Sequence, residues 1–561
     1  MEIALKSLGG ASRDFLIRYY EALLGLELPA IIGTVLAVII FVVEAARVDY
    51  RKAALNILVG LPFCGGLVRN KISQALEEIH RGVHGESRVI YEDKLPTDGL
   101  NLDMLLQKIR RYKAAEYIRW DEGFASGSVY PRKTGLAELS AKVFKEFIWA
   151  NPLHPDLFPD VRKMEAEIVR MCVNLFHGDK DACGTTSSGG TESIMLACLS
   201  YRQRARDEGI QFPTMIIPDS AHPAFDKAAH YFCMDVVRVP VNPVSMKADV
   251  KAMKAAITKD TCMLVASAPG FPHGVIDPVE EIAALGLRYN IPVHVDCCLG
   301  GFLLPFMDMA DFPLEPFDFR VPGVTSISCD THKYGFAAKG TSVILYRSPE
   351  YRSKQFFTQP NWSGGVYASP TFAGSRPGAL IAVCWATMMH YGLNGYIEST
   401  RRIVSTTRYI AEELNNIPGL FVYGEPEVCV VAFGSDVFNI YRLSQALAEL
   451  PNGHRWSLNN LQFPPAVHLC VTDMHTADGK AEEFIDDVRT VTAELLKCPK
   501  AKAHGTAAIY GMSALIPDRS IVSEIARGFL DACYDTPSCK VAESPTSSSS
   551  QKSSHKKKKQ S

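Results

Sequence analysis

The sequence has fifteen cysteines but no C-x-x-C, and only Cys297 and Cys298 are adjacent. Zinc ribbons and disulfide scaffolds both need regular cysteine spacing, so neither reading survives. An odd, scattered set of thiols fits a reducing compartment. Charge excess is also missing. The formal net charge is -2 over 561 residues, so no global field draws the chain to nucleic acid. No clear small-residue cleavage site follows the first apolar run, which argues against a signal peptide.

What is present is a large, ordinary core composition: 47% hydrophobic and 21% charged residues, enough for more than one domain. The first apolar run, "LPAIIGTVLAVIIFVV" from Leu28 to Val43, holds sixteen residues without a charge. A span wants about 20, and Ala45 and Ala46 extend the run, so it reads as a membrane anchor over about 28–46. A buried helix is the competing reading. Arg47, Arg51 and Lys52 follow it, which favours a cytosolic C-terminal side. The last residues, "SPTSSSSQKSSHKKKKQS", are too polar to bury a core and read as a disordered tail. Their basic end resembles a dilysine retrieval signal of the endoplasmic reticulum; a plain solvated tail reads equally well.

Between these ends the pattern alternates. "TMIIPDS" (214–220), "DVVRVPV" (235–241), "TCMLVASAP" (261–269), "IPVHVDCC" (291–298), "VTSISCD" (324–330) and "SVILYR" (342–347) are short β-rich runs. "DPVEEIAALGLRYN" (277–290) between two of them reads as an amphipathic helix capped at Asp277-Pro278. Apolar strands separated by helices give a mostly parallel sheet covered on both faces, an α/β fold, with sites at the carboxyl ends of its strands. Beyond about 375 a long helical stretch, with a break near Gly392 or Gly395, leads to a smaller α+β region. The expected divisions are 1–55 (anchor segment), 56–145 (linking segment), 146–375 (large domain), 376–535 (small domain) and 536–561 (tail).

Four features fall on loops of that one sheet. "CGTTSSGGTESIMLACLSYRQRA" (183–205) is a Gly/Ser/Thr-rich loop opening a helix, an anion cradle that is neither a P-loop nor a dinucleotide fingerprint. A Gly-rich turn capping a buried helix would look the same. Asp296 ends an apolar strand, where a carboxylate is costly unless paired. His222 follows another strand and is either a cap or a flat stacking surface. Lys333, in "DTHKYGFAAKG", lies six positions before Lys339. Cradle, stacker, carboxylate and lysine together are what pyridoxal phosphate requires.

"TSSGGTESI", "HVDCCLGGF" and "DTHKYG" resemble the group II pyridoxal-phosphate decarboxylase family, with its aspartate-aminotransferase-like fold (fold type I). "NPLHPDLFPDVRKMEAE", "SGSVY", "AHPAFDKAAHYF", "DTHKYGFAAKGTSV" and "GGVYASPTFAGSRPG" are similar to its sphingosine-1-phosphate lyase branch, up to about residue 535. The resemblance implies Lys333 as the covalent hook, His222 on the ring, and Asp296 on the pyridine nitrogen. It implies Gly190, Thr191 and His332 at the cofactor phosphate. A homodimer is implied, with Tyr367 and the Gly364-Gly365 turn reaching the partner's site. Tyr130, Asn151, His154 and Lys339 match positions linked to substrate phosphate or catalysis. The implied reaction is carbon-carbon cleavage of a phosphorylated sphingoid base at the endoplasmic-reticulum membrane, on its cytosolic face. An amino-acid decarboxylase is the rival. Lys339 is expected to bind phosphate or assist proton transfer, and to keep the Lys333 amine neutral as a positive neighbour.

Overall fold

The structure, a computed structural model, describes residues 62–84, 91–114, 118–132, 135–501 and 519–536. The apolar run at 28–46 and the tail beyond 536 lie outside them. Among the described residues no helix is long and apolar enough to cross a membrane.

Each of the six β-rich runs forms a strand; five are buried along nearly their whole length, whereas the edge strand Asp235–Val239 is buried only at Val239. Thr261–Ser267, Val293–Cys297 and Val324–Cys329 are buried at every position. In chain order the large sheet contains β1 (Cys183–Ser187), β2 (Thr214–Pro218), β3 (Asp235–Val239), β4 (Thr261–Ser267), β5 (Val293–Cys297), β6 (Val324–Cys329) and β7 (Ser342–Tyr346). The spatial order is β1-β7-β6-β5-β4-β2-β3. Only β7 runs antiparallel to its neighbours. Its first residue, Ser342, therefore lies opposite Ser187 at the same sheet edge as the carboxyl ends of the other strands.

Two local readings need correction. "CGTTS" is strand β1, not loop. Its small residues hide it, yet Gly184 is required, since a Cβ there would lie 2.3 Å from the Ile344 carbonyl oxygen of β7. Asp277 does not cap the helix Val279–Tyr289. Its buried carboxylate instead accepts from the Ala248 and Ser267 N–H groups, both at 2.8 Å, joining two loops.

The exposed hairpin β8 (Phe357–Trp362) and β9 (Gly365–Ser369) precedes a long helix, Gly378–Asn415, which breaks at Gly392 (φ 59°, ψ -177°). Gly395 continues the helix. A four-stranded antiparallel sheet follows, made of β10 (Phe421–Val422), β11 (Val430–Gly434), β12 (Asn459–Leu461) and β13 (Ala466–Cys470), ordered β10-β11-β13-β12.

Both sheets belong to one compact unit, Ala115–Gly511; a second holds Met1–Ala114 and Met512–Ser561. The expected linking segment 56–145 is thus divided between units. The helix Arg519–Tyr534 also leaves the expected small domain, because it packs on Pro62–His84, Gly528 against Leu76. Amphipathic periodicity marks each helix but not its distant partner.

Four histidines, His273, His294, His468 and His475, are buried, and burial pushes each down to about 4. Unfolded, each would titrate near 6.5. Their contribution is therefore complete above pH 6.5 and is lost as pH falls toward 4, by roughly 2 kcal/mol each at pH 5. Asp277, pushed up to about 6 by burial, offsets about 1 kcal/mol of this. Thermal melts should show Tm falling between pH 6.5 and 5, with a smaller fall in His273→Phe, since neither ring nitrogen of His273 has a hydrogen-bond partner. A Tm flat over that range contradicts this.

Candidate active site

At the carboxyl edge of the large sheet, chain reversals bring four strand ends together around a cavity of about 330 Å3. Its walls include Ser188, Gly190 and Thr191 after β1, His222 after β2, Cys298 after β5, and Asp330, His332 and Lys333 after β6.

The β1 turn opens the helix Gly190–Asp207, whose first N–H groups and dipole make a site for an anion. Ser187 and Ser193 hold the turn through a 2.7 Å hydroxyl contact, and Ser193 reaches Ser342 of β7 at 2.9 Å. Gly190 has no room for a side chain. A Cβ there would lie 2.7 Å from Cys298 Sγ and 2.8 Å from both Asp330 carboxylate oxygens.

Asp296 is buried at the end of β5. It accepts from the Cys298 N–H at 3.0 Å and the Ser328 hydroxyl at 3.1 Å. Burial would raise its carboxyl, but His222, His294 and the Cys298 N–H outweigh burial and hold it below the ordinary range. Beneath it, His294 sits between Ser326 Oγ (2.7 Å) and Ser328 Oγ (3.2 Å), and Tyr201 reaches Ser326 at 2.6 Å. His222 Nδ1 accepts from the Ala224 N–H at 3.1 Å, so its proton lies on Nε2.

Lys333 Nζ lies 2.9 Å from Asp330 Oδ2. Burial opposes the ammonium, but Asp330 wins, and the Lys333 pKa is raised. The expectation of a neutral Lys333 is therefore corrected: Asp330 is closer and stronger than any influence of Lys339. The shift falls on Lys339 instead, lowered to about 8 by partial burial of its ammonium and then by Lys333. Lys339 Nζ is 3.3 Å from the His332 carbonyl oxygen and 4.6 Å from the Tyr130 ring centre, a cation–π contact. Burial holds the Tyr130 hydroxyl well above its ordinary value, so it stays protonated. Tyr130 packs edge-on against Tyr334, which donates to the Val471 carbonyl at 2.6 Å.

Tyr130 and Lys339 face a second cavity of about 750 Å3, which shares the wall residue His332 with the first. Its walls include Val129, Leu136, Phe336 and Met474 beside Arg132. The expected residues thus divide. Gly190, Thr191, His222, His332 and Lys333 line the smaller cavity and Asp296 lies behind Cys298 and Ser328; Tyr130 and Lys339 line the larger. Asn151, His154, Gly365 and Tyr367 line neither. Asn151 instead bonds Ser375 Oγ (3.0 Å) and the Arg376 N–H (3.2 Å), His154 is exposed, and Gly365 and Tyr367 lie on the β8–β9 hairpin. Asp330 was missed as a functional group, although a carboxylate three residues before the lysine is a visible signal.

The site fits pyridoxal phosphate. Asp330 Oδ1 is buried without a partner, Gly190 leaves its space open, and the anion cradle, Asp296 carboxylate and Lys333 amine match the cofactor's three polar groups. Comparison with known proteins agrees. The pyridoxal-dependent decarboxylase conserved domain matches residues 85–435. Sphingosine-1-phosphate lyase 1 of Mus musculus is 48% identical over 500 residues, 89% of this chain and 87% of that protein. The Drosophila melanogaster sphingosine-1-phosphate lyase is 50% identical over 455 residues, 81% of this chain and 83% of that protein. The Burkholderia pseudomallei sphingosine-1-phosphate lyase structure superposes with TM-score 0.69 at 39% identity, covering 74% of this chain and 97% of that one. A Lactobacillus brevis glutamate decarboxylase (TM-score 0.64, 21% identity, covering 76% of this chain and 99% of that one) shares the fold alone. The chain belongs to the pyridoxal-dependent decarboxylase family and, within it, to the sphingosine-1-phosphate lyases, a family of pyridoxal-phosphate-dependent lyases.

Proposed function

We propose that this chain cleaves a phosphorylated sphingoid base such as sphingosine 1-phosphate, releasing a long-chain aldehyde and phosphoethanolamine. The observation that carries this reading is the larger cavity: mostly apolar walls with the Lys339 ammonium and the Arg132 guanidinium among their charges, sharing the wall residue His332 with the lysine-bearing cavity. An amphiphile with a phosphate, an amine and a long chain matches those three features.

Lys333 would hold the cofactor aldehyde through its amine. Asp296 would keep the pyridine nitrogen protonated, His222 would cover the ring, and Gly190, Thr191 and His332 would hold the phosphate. When bound, pyridoxal phosphate takes up the electron pair left on the amine-bearing carbon. The bond broken joins that carbon to the hydroxyl-bearing one. The hydroxyl proton leaves, its carbon becomes the aldehyde, and a proton returns to the amine-bearing carbon. Lys339, lowered to about 8, carries a charge that grips phosphate and a proton that it can exchange near neutral pH. Tyr130, kept as a phenol, offers a hydrogen-bond donor beside it.

The reading extends to assembly and location. The chain works as a homodimer, with Gly365 and Tyr367 reaching the partner's site; the exposure of Trp362 and Val366 on the β8–β9 hairpin supports this. The run Leu28–Val43 anchors it in the endoplasmic-reticulum membrane with the catalytic residues in the cytosol. The charges after the run and the free thiols support that orientation.

A product assay with sphingosine 1-phosphate and pyridoxal phosphate should yield aldehyde and phosphoethanolamine with the wild type and neither with Lys333→Ala. In sealed microsomes carrying that activity, protease should reach the tail. Carbon dioxide from an amino acid instead would support the rival decarboxylase and sink the lyase reading.

Lys339 is charged below its pKa of about 8 and loses charge as pH rises through it. KM should therefore climb between pH 7 and 9 in the wild type. Lys339→Met should start with kcat/KM about 10–100-fold lower, the worth of a charged hydrogen bond, and show a flat KM. A flat wild-type KM with kcat rising near pH 8 would contradict the phosphate grip and assign Lys339 to proton transfer.

A further inference from the structure

The helix Pro62–His84 ends in "HRGVH", which places His80 and His84 four residues apart on one face. Their rings lie 4.3 Å apart, centre to centre. Asp535, just past the helix Arg519–Tyr534, brings a carboxylate oxygen 3.0 Å from His80 Nε2. Among the described residues this is the one group of three such side chains able to share an ion, and the three ligand atoms lie within 4.8 Å of one another. None of them lines either cavity described above.

An ion pair between His80 and Asp535 explains only part of the arrangement. His84 Nδ1 is 2.5 Å from the Tyr91 hydroxyl, while His84 Nε2 is buried and has no hydrogen-bond partner. Either tautomer leaves Nε2 stranded, as a lone pair or as an N–H. A metal ion removes that cost. With Nδ1–H donating to Tyr91, the Nε2 lone pair is free to bind, which is how a ligating imidazole is usually oriented by a group on its far nitrogen.

We propose that His80, His84 and Asp535 bind a divalent transition-metal ion, zinc foremost, with Tyr91 orienting His84. Two imidazoles and one carboxylate suit zinc, cobalt or nickel and disfavour calcium and magnesium, which take oxygen ligands. A tetrahedral zinc would want its ligand atoms roughly 3.4 Å apart, within reach of small side-chain rotations. Three ligands leave the fourth position to water. The ion closes a loop between residues 455 apart in sequence and so clamps the first and last helices among the described residues together.

The test uses untagged, full-length holoenzyme titrated with zinc alone against a chromophoric chelator, and with cobalt for its spectrum. One zinc per chain is expected. Its affinity should fall more than about 10-fold in His80→Gln and His84→Gln, and about 10–100-fold in Tyr91→Phe, which keeps all three ligands. Zinc should raise Tm in the wild type and not in the double variant, while turnover of the cofactor-loaded enzyme stays unchanged in all of them. Cobalt should give visible bands without a near-ultraviolet thiolate band. Zinc binding that survives the double substitution, a thiolate band from the chain's cysteines, or no saturable binding would overturn the proposal.

Discussion

The site depends on one buried ion pair, Asp330 with Lys333. A carboxylate taken out of water at the end of β6 is tolerable only with a partner, and stranding one member of such a pair costs on the order of 3–5 kcal/mol. Lys333 meets one oxygen of Asp330, and the other oxygen is left without a bond inside the cavity. The surroundings follow from this pair. Gly190 must lack a side chain to pass beside the carboxylate. Burial first, and then the Lys333 charge fixed by Asp330, lower Lys339. Two lysines six residues apart thereby acquire different chemistry from the same loop.

The two cavities divide the work. The smaller gathers an anion cradle, a carboxylate kept ionised and a tethered amine, all on strand ends of a rigid sheet. The larger adds apolar wall and one ionisable ammonium stacked on a buried phenol. Asp296 is steadied through Ser328 and His294 down to Tyr201, so the acid beneath the smaller cavity is held by a buried polar chain. Each link of that chain is hydrogen-bonded, which is what makes so much polarity acceptable inside a sheet.

Much of this was legible in the sequence because the signals are local. Continuous apolar runs marked six strands, a glycine marked the helix break, and loops after strand ends marked the lysine, histidine and aspartate. What was illegible depended on partners far along the chain. β1 has no apolar run to mark it, and its partner β7 lies far along the chain. Asp277 looked like a helix cap, yet two distant N–H groups claim it. Lys333 looked poised to be neutral, and a carboxylate one turn away reversed that. "HRGVH" has metal-ligand spacing, but its third ligand comes from the other end of the chain.

The measurement that bears most directly on the central claim is borohydride reduction of the holoenzyme followed by peptide mapping of the fixed cofactor. The account predicts a pyridoxyl group on Lys333 alone, with Lys339 unmodified. A pyridoxyl group on Lys339, or on neither lysine, would contradict it.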